Sequence, residues 1–298
     1  MEDQSLVAEI VLPISLVVIM VSLGLGLTTA DFRRVIVYPK GVAIGLANLL
    51  LISPLLAFGM AELFALPAAL AVGIVLLGAS PGGATANMMT HLARGDVALS
   101  VTMTAISSVC AVVTVPVFLG LAVEHFGSGL ESDPEMLGIV ARVFLITLIP
   151  LATGMFVRAR RPAWTERNYD KARKAAIVVL VLAIAVAVAV ENDRVLDNFT
   201  DVAGATIALN VVAMTISFTV AKLARLSDPQ ATAISMELGI HNATLAIAVA
   251  ATISTQLAIP AAVYSSFMFV TAGIFARIMY RRNGGGAESA VAPATSTP

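Results

Sequence analysis

Charge is almost absent from nine long runs of this chain, at about residues 10–30, 41–61, 67–93, 97–123, 137–157, 175–190, 202–221, 229–254 and 257–276. A helix that crosses the roughly 30 Å hydrocarbon core of a bilayer needs about 20 mostly apolar residues, so each run is expected to be a membrane span. The composition agrees: of 298 residues, 58% are hydrophobic and only 12% charged, with a mean hydropathy of +0.93. Soluble domains carry about 25% charged residues, so a soluble enzyme, a nucleic-acid binder and a disordered scaffold are excluded as classes. The single cysteine, Cys110, rules out an intramolecular disulfide and a cysteine-based zinc site. Lying in an apolar run, it reads as a small packing residue. The start, Met1-Glu2-Asp3-Gln4, is acidic and no small-residue cleavage site follows, so the first run is expected to remain as a helix.

The formal net charge of -1 conceals an uneven distribution. All but Arg142 and Arg194 of the 18 basic residues fall in alternate connections, after the first, third, fifth, seventh and ninth runs. The strongest cluster spans Arg158 to Lys174. The opposite connections are acidic, with Glu124, Glu131, Asp133 and Glu135 in one and Glu191, Asp193, Asp197 and Asp201 in another. Cytoplasmic loops are enriched in Lys and Arg. The expectation is therefore a multi-pass protein of the plasma (inner) membrane, N-terminus outside and C-terminus cytoplasmic. Residues 283–298, rich in Gly, Ser, Thr, Ala and Pro, read as a disordered cytoplasmic tail.

Two runs are interrupted. Ser80-Pro81-Gly82-Gly83 breaks the third, because proline lacks a donor and glycine favours non-helical backbone. The eighth contains Glu237-Leu238-Gly239-Ile240-His241-Asn242, and Glu237 is the one acidic residue expected at membrane depth. A carboxylate there costs several kcal/mol unless it faces a polar cavity and finds a partner. His241 on its own would be a core histidine; four residues from Glu237 it could pair with that carboxylate, ligate a cation or carry a proton. After the first break come Ser100, Thr102, Thr104, Ser107 and Ser108. Hydroxyls at 100 and 104 share a helix face. They either bond their own backbone carbonyls or, converging on one carboxylate, suit a small alkali cation. Interrupted helices in corresponding positions of two halves point to the binding site of a secondary transporter. Unwound carbonyls there can ligate a cation while half-helix N-termini offer N–H groups to an anion. No second carboxylate or nucleophile–base pair is placed for catalysis, so an enzyme is not expected.

The stretch Gly78-Ala79-Ser80-Pro81-Gly82-Gly83-Ala84-Thr85-Ala86-Asn87, followed by Met89-Thr90-His91-Leu92-Ala93-Arg94-Gly95-Asp96-Val97-Ala98-Leu99-Ser100-Val101-Thr102, closely resembles the signature of the bile acid:sodium symporter family. Glu237-Leu238-Gly239-Ile240-His241-Asn242 is similar to its second motif, where Glu-x-Gly-x-Gln-Asn is usual. The resemblance implies an all-α polytopic membrane protein of about nine transmembrane helices, an inverted-repeat transporter with two broken, crossing helices. It further implies one transporter unit over residues 1–282, with a panel at about 8–32 and 135–192 and a core at about 35–125 and 200–282.

Carried over residue by residue, the resemblance implies a first sodium site at Asn87, Ser100, Thr104 and Glu237. The serine usual before the asparagine is Ala86, which removes one oxygen. The second site retains Glu237 and the carbonyls near Leu238 and Ile240, but His241 replaces a glutamine and Leu49 another, with Asn48 beside it. The substrate side implies Thr85, Ala86, Asn242 and His241. The expected function is sodium-coupled symport of a small organic anion: bile-acid-like, keto acid or pantothenate-like. The alternatives are proton coupling through His241 with Glu237, and a non-transporting membrane sensor. The expected partners are the anion, Na+ and the bilayer, with no nucleic acid and no obligatory protein partner.

Overall fold

The computed structural model describes residues 12–27, 34–37, 39–127, 136–172, 174–175, 178 and 199–288. Apart from Ala175 and Val178, the sixth apolar run, 175–190, lies outside them, as do most of the acidic connections. Among the described residues all regular structure is helical, apart from a single antiparallel bridge between Gly82 and His241. The helices are α1 (Leu12–Gly26), α2 (Pro39–Leu63), α3 (Ala68–Gly78), α4 (Ala84–Leu92), α5 (Val97–Phe126), α6 (Met136–Arg160), α7 (Phe199–Leu223), α8 (Asp228–Gly239), α9 (Ala243–Ala251) and α10 (Thr255–Glu288). Among the described residues, four stretches are long and apolar enough to cross a membrane: Pro39–Leu63, Val97–Phe126, Val202–Leu223 and Thr255–Asn283. The helix α10 runs through Gly284–Gly286 to Glu288, past the point where the sequence suggested a tail.

Local chemistry explains where these helices begin and bend. Asp96 caps α5 by accepting from the Leu99 N–H at 3.0 Å. Ser227 and Gln230 form a reciprocal capping box on α8. Each satisfies N–H groups that a helix start leaves without intrahelical partners. Within α2, Asn48–Ile52 forms a π-turn in which the Ser53 N–H donates to the Asn48 carbonyl. Pro54 follows directly; having no N–H, it cannot continue the regular ladder there.

A pattern of elements occurs twice. The helices α2, α3, α4 and α5 are echoed in order by α7, α8, α9 and α10, each set being long, short, short, long. The connection between the first two helices of each set matches bond for bond. Ala65 and Leu66 donate to the Glu62 and Ala61 carbonyls, as Arg225 and Leu226 donate to those of Lys222 and Ala221. Ala65 and Arg225 both sit in the left-handed region, at φ 47° and 60°. The short helices α3 and α8, with the breaks that follow them, are the most enclosed: residues 69–83 and 231–241 are all buried.

Two contacts hold the periphery. The helices α1 and α6 meet through Gly24 and Gly154, so close that a Cβ on either would strike the other's backbone, at the Leu151 and Val21 carbonyl oxygens respectively. Small residues permit such approach where apolar burial alone gives lipid-immersed helices little reason to associate. At one end of the bundle, Asp228 accepts from Lys222 and, at 2.8 Å, from the Arg282 Nε, joining the α7–α8 connection to α10. These hydrogen bonds, Lys222 first and Arg282 next, hold the Asp228 carboxyl below its ordinary value.

Replacing Gly154 by leucine is expected to force α1 and α6 apart and to cost on the order of 1–3 kcal/mol, as overpacking does. Thermal melting in detergent measures it. Because the folded Asp228 carboxyl titrates below its unfolded value near about 3.9, the stability it contributes is present above that value. It is lost as pH falls through the lowered folded value. The Asp228→Asn variant should be slightly less stable at neutrality and should flatten the acid limb of a melting-temperature profile.

Candidate functional site

The two interrupted helices meet at their breaks. The Gly83 N–H donates to the Ile240 carbonyl at 2.9 Å and the Asn242 N–H donates to the Pro81 carbonyl at 2.8 Å. Each unwound segment thus satisfies backbone groups of the other. The backbone leaves the helix here, as the Pro-Gly-Gly run suggested, with Gly83 extended at φ -91° and ψ 151°, although among the described residues no glycine has a left-handed φ. What Gly82 provides is room: a Cβ there would fall on the Glu237 carboxylate. Gly239 likewise lies flat against the Met214 side chain.

Glu237 is fully buried, on the last turn of α8. Its Oε1 accepts from Ser100 Oγ at 2.6 Å and from Thr104 Oγ1 at 2.9 Å, and Thr104 Oγ1 also lies 3.0 Å from Oε2. Asn87, in the first turn of α4, directs its Oδ1 at the same two hydroxyls, at 2.7 and 3.2 Å. Thr104 Oγ1 is 3.1 Å from the Ser100 carbonyl as well. Ser100 and Thr104 have one proton each. They therefore cannot donate at once to Asn87 Oδ1, both oxygens of Glu237 and the Ser100 carbonyl. Oxygen lone pairs exceed the protons available, and Thr90 Oγ1, donating to Ser100 at 3.3 Å, adds a single further proton. Hard oxygens with one negative charge and surplus lone pairs fit a small monovalent cation. Among the described residues, no group of three or more His, Cys, Asp and Glu forms a softer or more highly charged site.

Of the other hydroxyls of α5, that of Thr114 is buried without a partner and three turn back on the helix. Thr102 donates to the Ala98 carbonyl, and Ser107 and Ser108 to that of Thr104, so these bond only their own helix. The carbonyl of Ile240 is already engaged by Gly83, and Leu238 is fully buried. Ala86 is fully buried, Thr85 and Asn242 half-buried. Asn242 Oδ1 caps α9 through the Leu245 N–H at 3.1 Å.

His241 has a different set of neighbours from Glu237. Its Nδ1 lies 3.1 Å from the Ser80 carbonyl and its Nε2 3.0 Å from Ser53 Oγ. A carbonyl only accepts, so Nδ1 carries the proton, and in the neutral ring Nε2 accepts from Ser53. The imidazole ties α2 to both breaks and makes no hydrogen bond with Glu237.

Thr90 stood in the quoted motif without a role of its own, and three participants carried no signal in the sequence: Ser53, Asn210 and Tyr264. The last two clamp the carbonyl of Gly239. Asn210 Nδ2 donates to it at 2.7 Å and Tyr264 Oη at 2.9 Å, and Asn210 Nδ2 is 2.7 Å from Tyr264 Oη. Tyr264 and Asn210 are both fully buried. On α2, Asn48 donates through Nδ2 to the Ile44 carbonyl at 2.7 Å, while its buried Oδ1 has no partner.

Alanine at Gly82 is expected to displace the carboxylate and cost about 1–3 kcal/mol. In a Glu237→Ala background that cost should largely vanish. Thermal melts of the two single variants and the double variant measure this coupling.

Comparison with known proteins places the geometry in context. The model of the sodium bile acid symporter family matches residues 13–198, more than half of the chain. A Bacillus subtilis protein named as an uncharacterized sodium-dependent transporter is 30% identical over 249 residues, covering 83% of this chain and 76% of its own. A rice protein named as a probable chloroplastic sodium/metabolite cotransporter is 28% identical over 269 residues, 90% of this chain and 62% of its own. The human hepatic sodium/bile acid cotransporter is 29% identical over 160 residues, 53% of this chain. The chain thus spans less than two thirds of the rice protein and, at 46%, under half of the human one. The two broken helices and the match across most of the sequence together make this chain a member of the sodium bile acid symporter family, a multi-pass membrane protein of a transporter lineage.

Proposed function

We propose that the chain is a secondary active transporter that couples the uptake of a small organic anion to sodium. The observation that carries this reading is the excess of oxygen acceptors gathered around Glu237 where the two breaks meet. Sodium at a first site is held by Asn87, Ser100, Thr104 and Glu237. Ala86 contributes no side-chain oxygen there. A second site draws on Glu237 and the carbonyls of Leu238 and Ile240, with His241 and Leu49 where the family has glutamines. The free Oδ1 of Asn48 is a candidate to replace one of them. The anion meets Thr85, Ala86, His241, Asn242 and the N–H groups at the starts of α4 and α9. A carboxylate of the bile-acid-like, keto-acid or pantothenate-like kind has the matching charge.

The doubled element pattern supports two inverted repeats and nine spans. The panel is formed by about 8–32 and 135–192, and the core by about 35–125 and 200–282. The basic connections support an N-terminus outside and a C-terminus in the cytoplasm of the inner membrane. The names of the relatives support sodium as the coupling ion. Sodium is preferred to a proton because His241 is bonded to Ser53 and Ser80 rather than to Glu237.

In proteoliposomes, an inward sodium gradient should drive uptake of a labelled member of a carboxylate panel. Glu237→Gln should abolish the sodium-driven component. Ser100→Ala and Thr104→Ala should each raise the sodium concentration for half-maximal uptake by roughly tenfold, the loss of one charge-assisted contact. Uptake indifferent to both sodium and pH would overturn coupling. Uptake driven by a pH gradient alone would transfer it to a proton, and binding without accumulation would make the protein a sensor.

A further inference from the structure

The helices α4 and α10 leave a groove of about 480 Å³ between them, lined by Met89, Leu92, Gly273, Ala276 and Tyr280. Its walls are almost wholly apolar, and Arg277 and Arg281 stand at its edge. Both arginines are exposed, four residues apart on one face of α10, and neither has an acidic partner among the described residues. A third cation adjoins them: Arg94 donates to Tyr280 Oη at 2.8 Å and lies 4.0 Å over its ring. The groove continues into apolar surface on both sides. On α10, Val270, Ile274 and Ile278 are 61%, 60% and 55% exposed; on α4, Met88 and Leu92 are 55% and 53% exposed. In a membrane protein such surface faces acyl chains, and the arginines sit at the α10 end of a candidate span, Thr255–Asn283. Long basic side chains at that depth reach the headgroup layer.

We propose that this groove is a binding site for an anionic phospholipid, with one acyl chain lying along Met89, Leu92, Gly273 and Ala276 and the phosphate held by Arg277 and Arg281. Charge complementarity selects the headgroup, since unpaired arginines beside a lipid-facing groove attract anionic lipids and not zwitterionic ones. The apolar walls select a lipid over a free phosphate or a small solute, which would leave them wet. Gly273 creates the space: no atom lies within 4 Å of where its Cβ would stand. The occupied groove would touch α4, the half-helix that carries Asn87, so bound lipid would bear on the same element as the site around Glu237.

The test uses the full chain purified in detergent, with no sodium or organic solute, so that its outcome is independent of transport. Retention of phosphatidylglycerol and of phosphatidylcholine with identical acyl chains is measured by native mass spectrometry, with thermal melting alongside. Glycerol 3-phosphate serves as the headgroup alone. Phosphatidylglycerol should be retained and should raise the melting temperature, while phosphatidylcholine and glycerol 3-phosphate should do neither. The double variant R277Q/R281Q should bind phosphatidylglycerol roughly 25-fold more weakly, about fivefold for each arginine. Gly273→Leu fills the groove without touching the arginines and should also release the lipid. Unliganded melting temperatures of both variants confirm that they fold. Equal retention of the two lipids, unchanged binding in either folded variant, or an equal effect of glycerol 3-phosphate would overturn the proposal.

Discussion

Backbone that leaves a helix inside a bilayer has no water to turn to, and its N–H and C=O groups must find partners within the protein. Everything distinctive in this molecule follows from meeting that demand at two places at once. The breaks after α3 and after α8 are laid against each other, so that Gly83 and Asn242 donate to Ile240 and Pro81. The Gly239 carbonyl, left over at the end of α8, is taken by Asn210 and Tyr264 from two other helices. The Ser80 carbonyl goes to His241, whose other nitrogen reaches α2. Long helices surround the breaks because they must supply these partners.

With the backbone satisfied, the site is left with an imbalance of another kind. Glu237, Asn87 and the Ser100 carbonyl present more acceptor capacity than the hydroxyls of Ser100 and Thr104 can meet. A network with too few protons is poorly stabilised by hydrogen bonding alone, and in a low-dielectric setting the shortage is costly. A bound cation, as proposed above, would relieve it by adding positive charge in place of missing donors. The groups that close the breaks are thus mostly satisfied, while the groups that face the space between them are not.

Much of this could be read from residue order because it rests on local rules. Runs without charge marked the helices, Pro81 and Gly239 marked the interruptions, and the 3.6-residue period put Ser100 and Thr104 on one face. The same rules could not say which α5 hydroxyls would turn inward, since Thr102 and Ser108 are alike in kind and bond only their own helix. Ser53, Asn210 and Tyr264 were invisible for a related reason. Each is an ordinary residue of a span, and it matters only through contact with a break; Ser53 and His241 are 188 positions apart. The steric need for glycine at 82 was invisible as well, because it is set by the Glu237 carboxylate from the other half of the chain and not by its own φ.

The reciprocal pairing of the breaks has a consequence for how such a chain can be divided. Residues 39–126 and 199–288 hold the same succession of helices, and each supplies one N–H and one carbonyl to the other's interruption. The contact is therefore isologous in kind, like the interface of a twofold dimer, although it lies within one polypeptide. Neither half can close its own broken helix. A polypeptide of half this length would have to recruit a second copy of itself before its unwound segment could be buried, so in this architecture folding to completion and pairing of the halves are a single event.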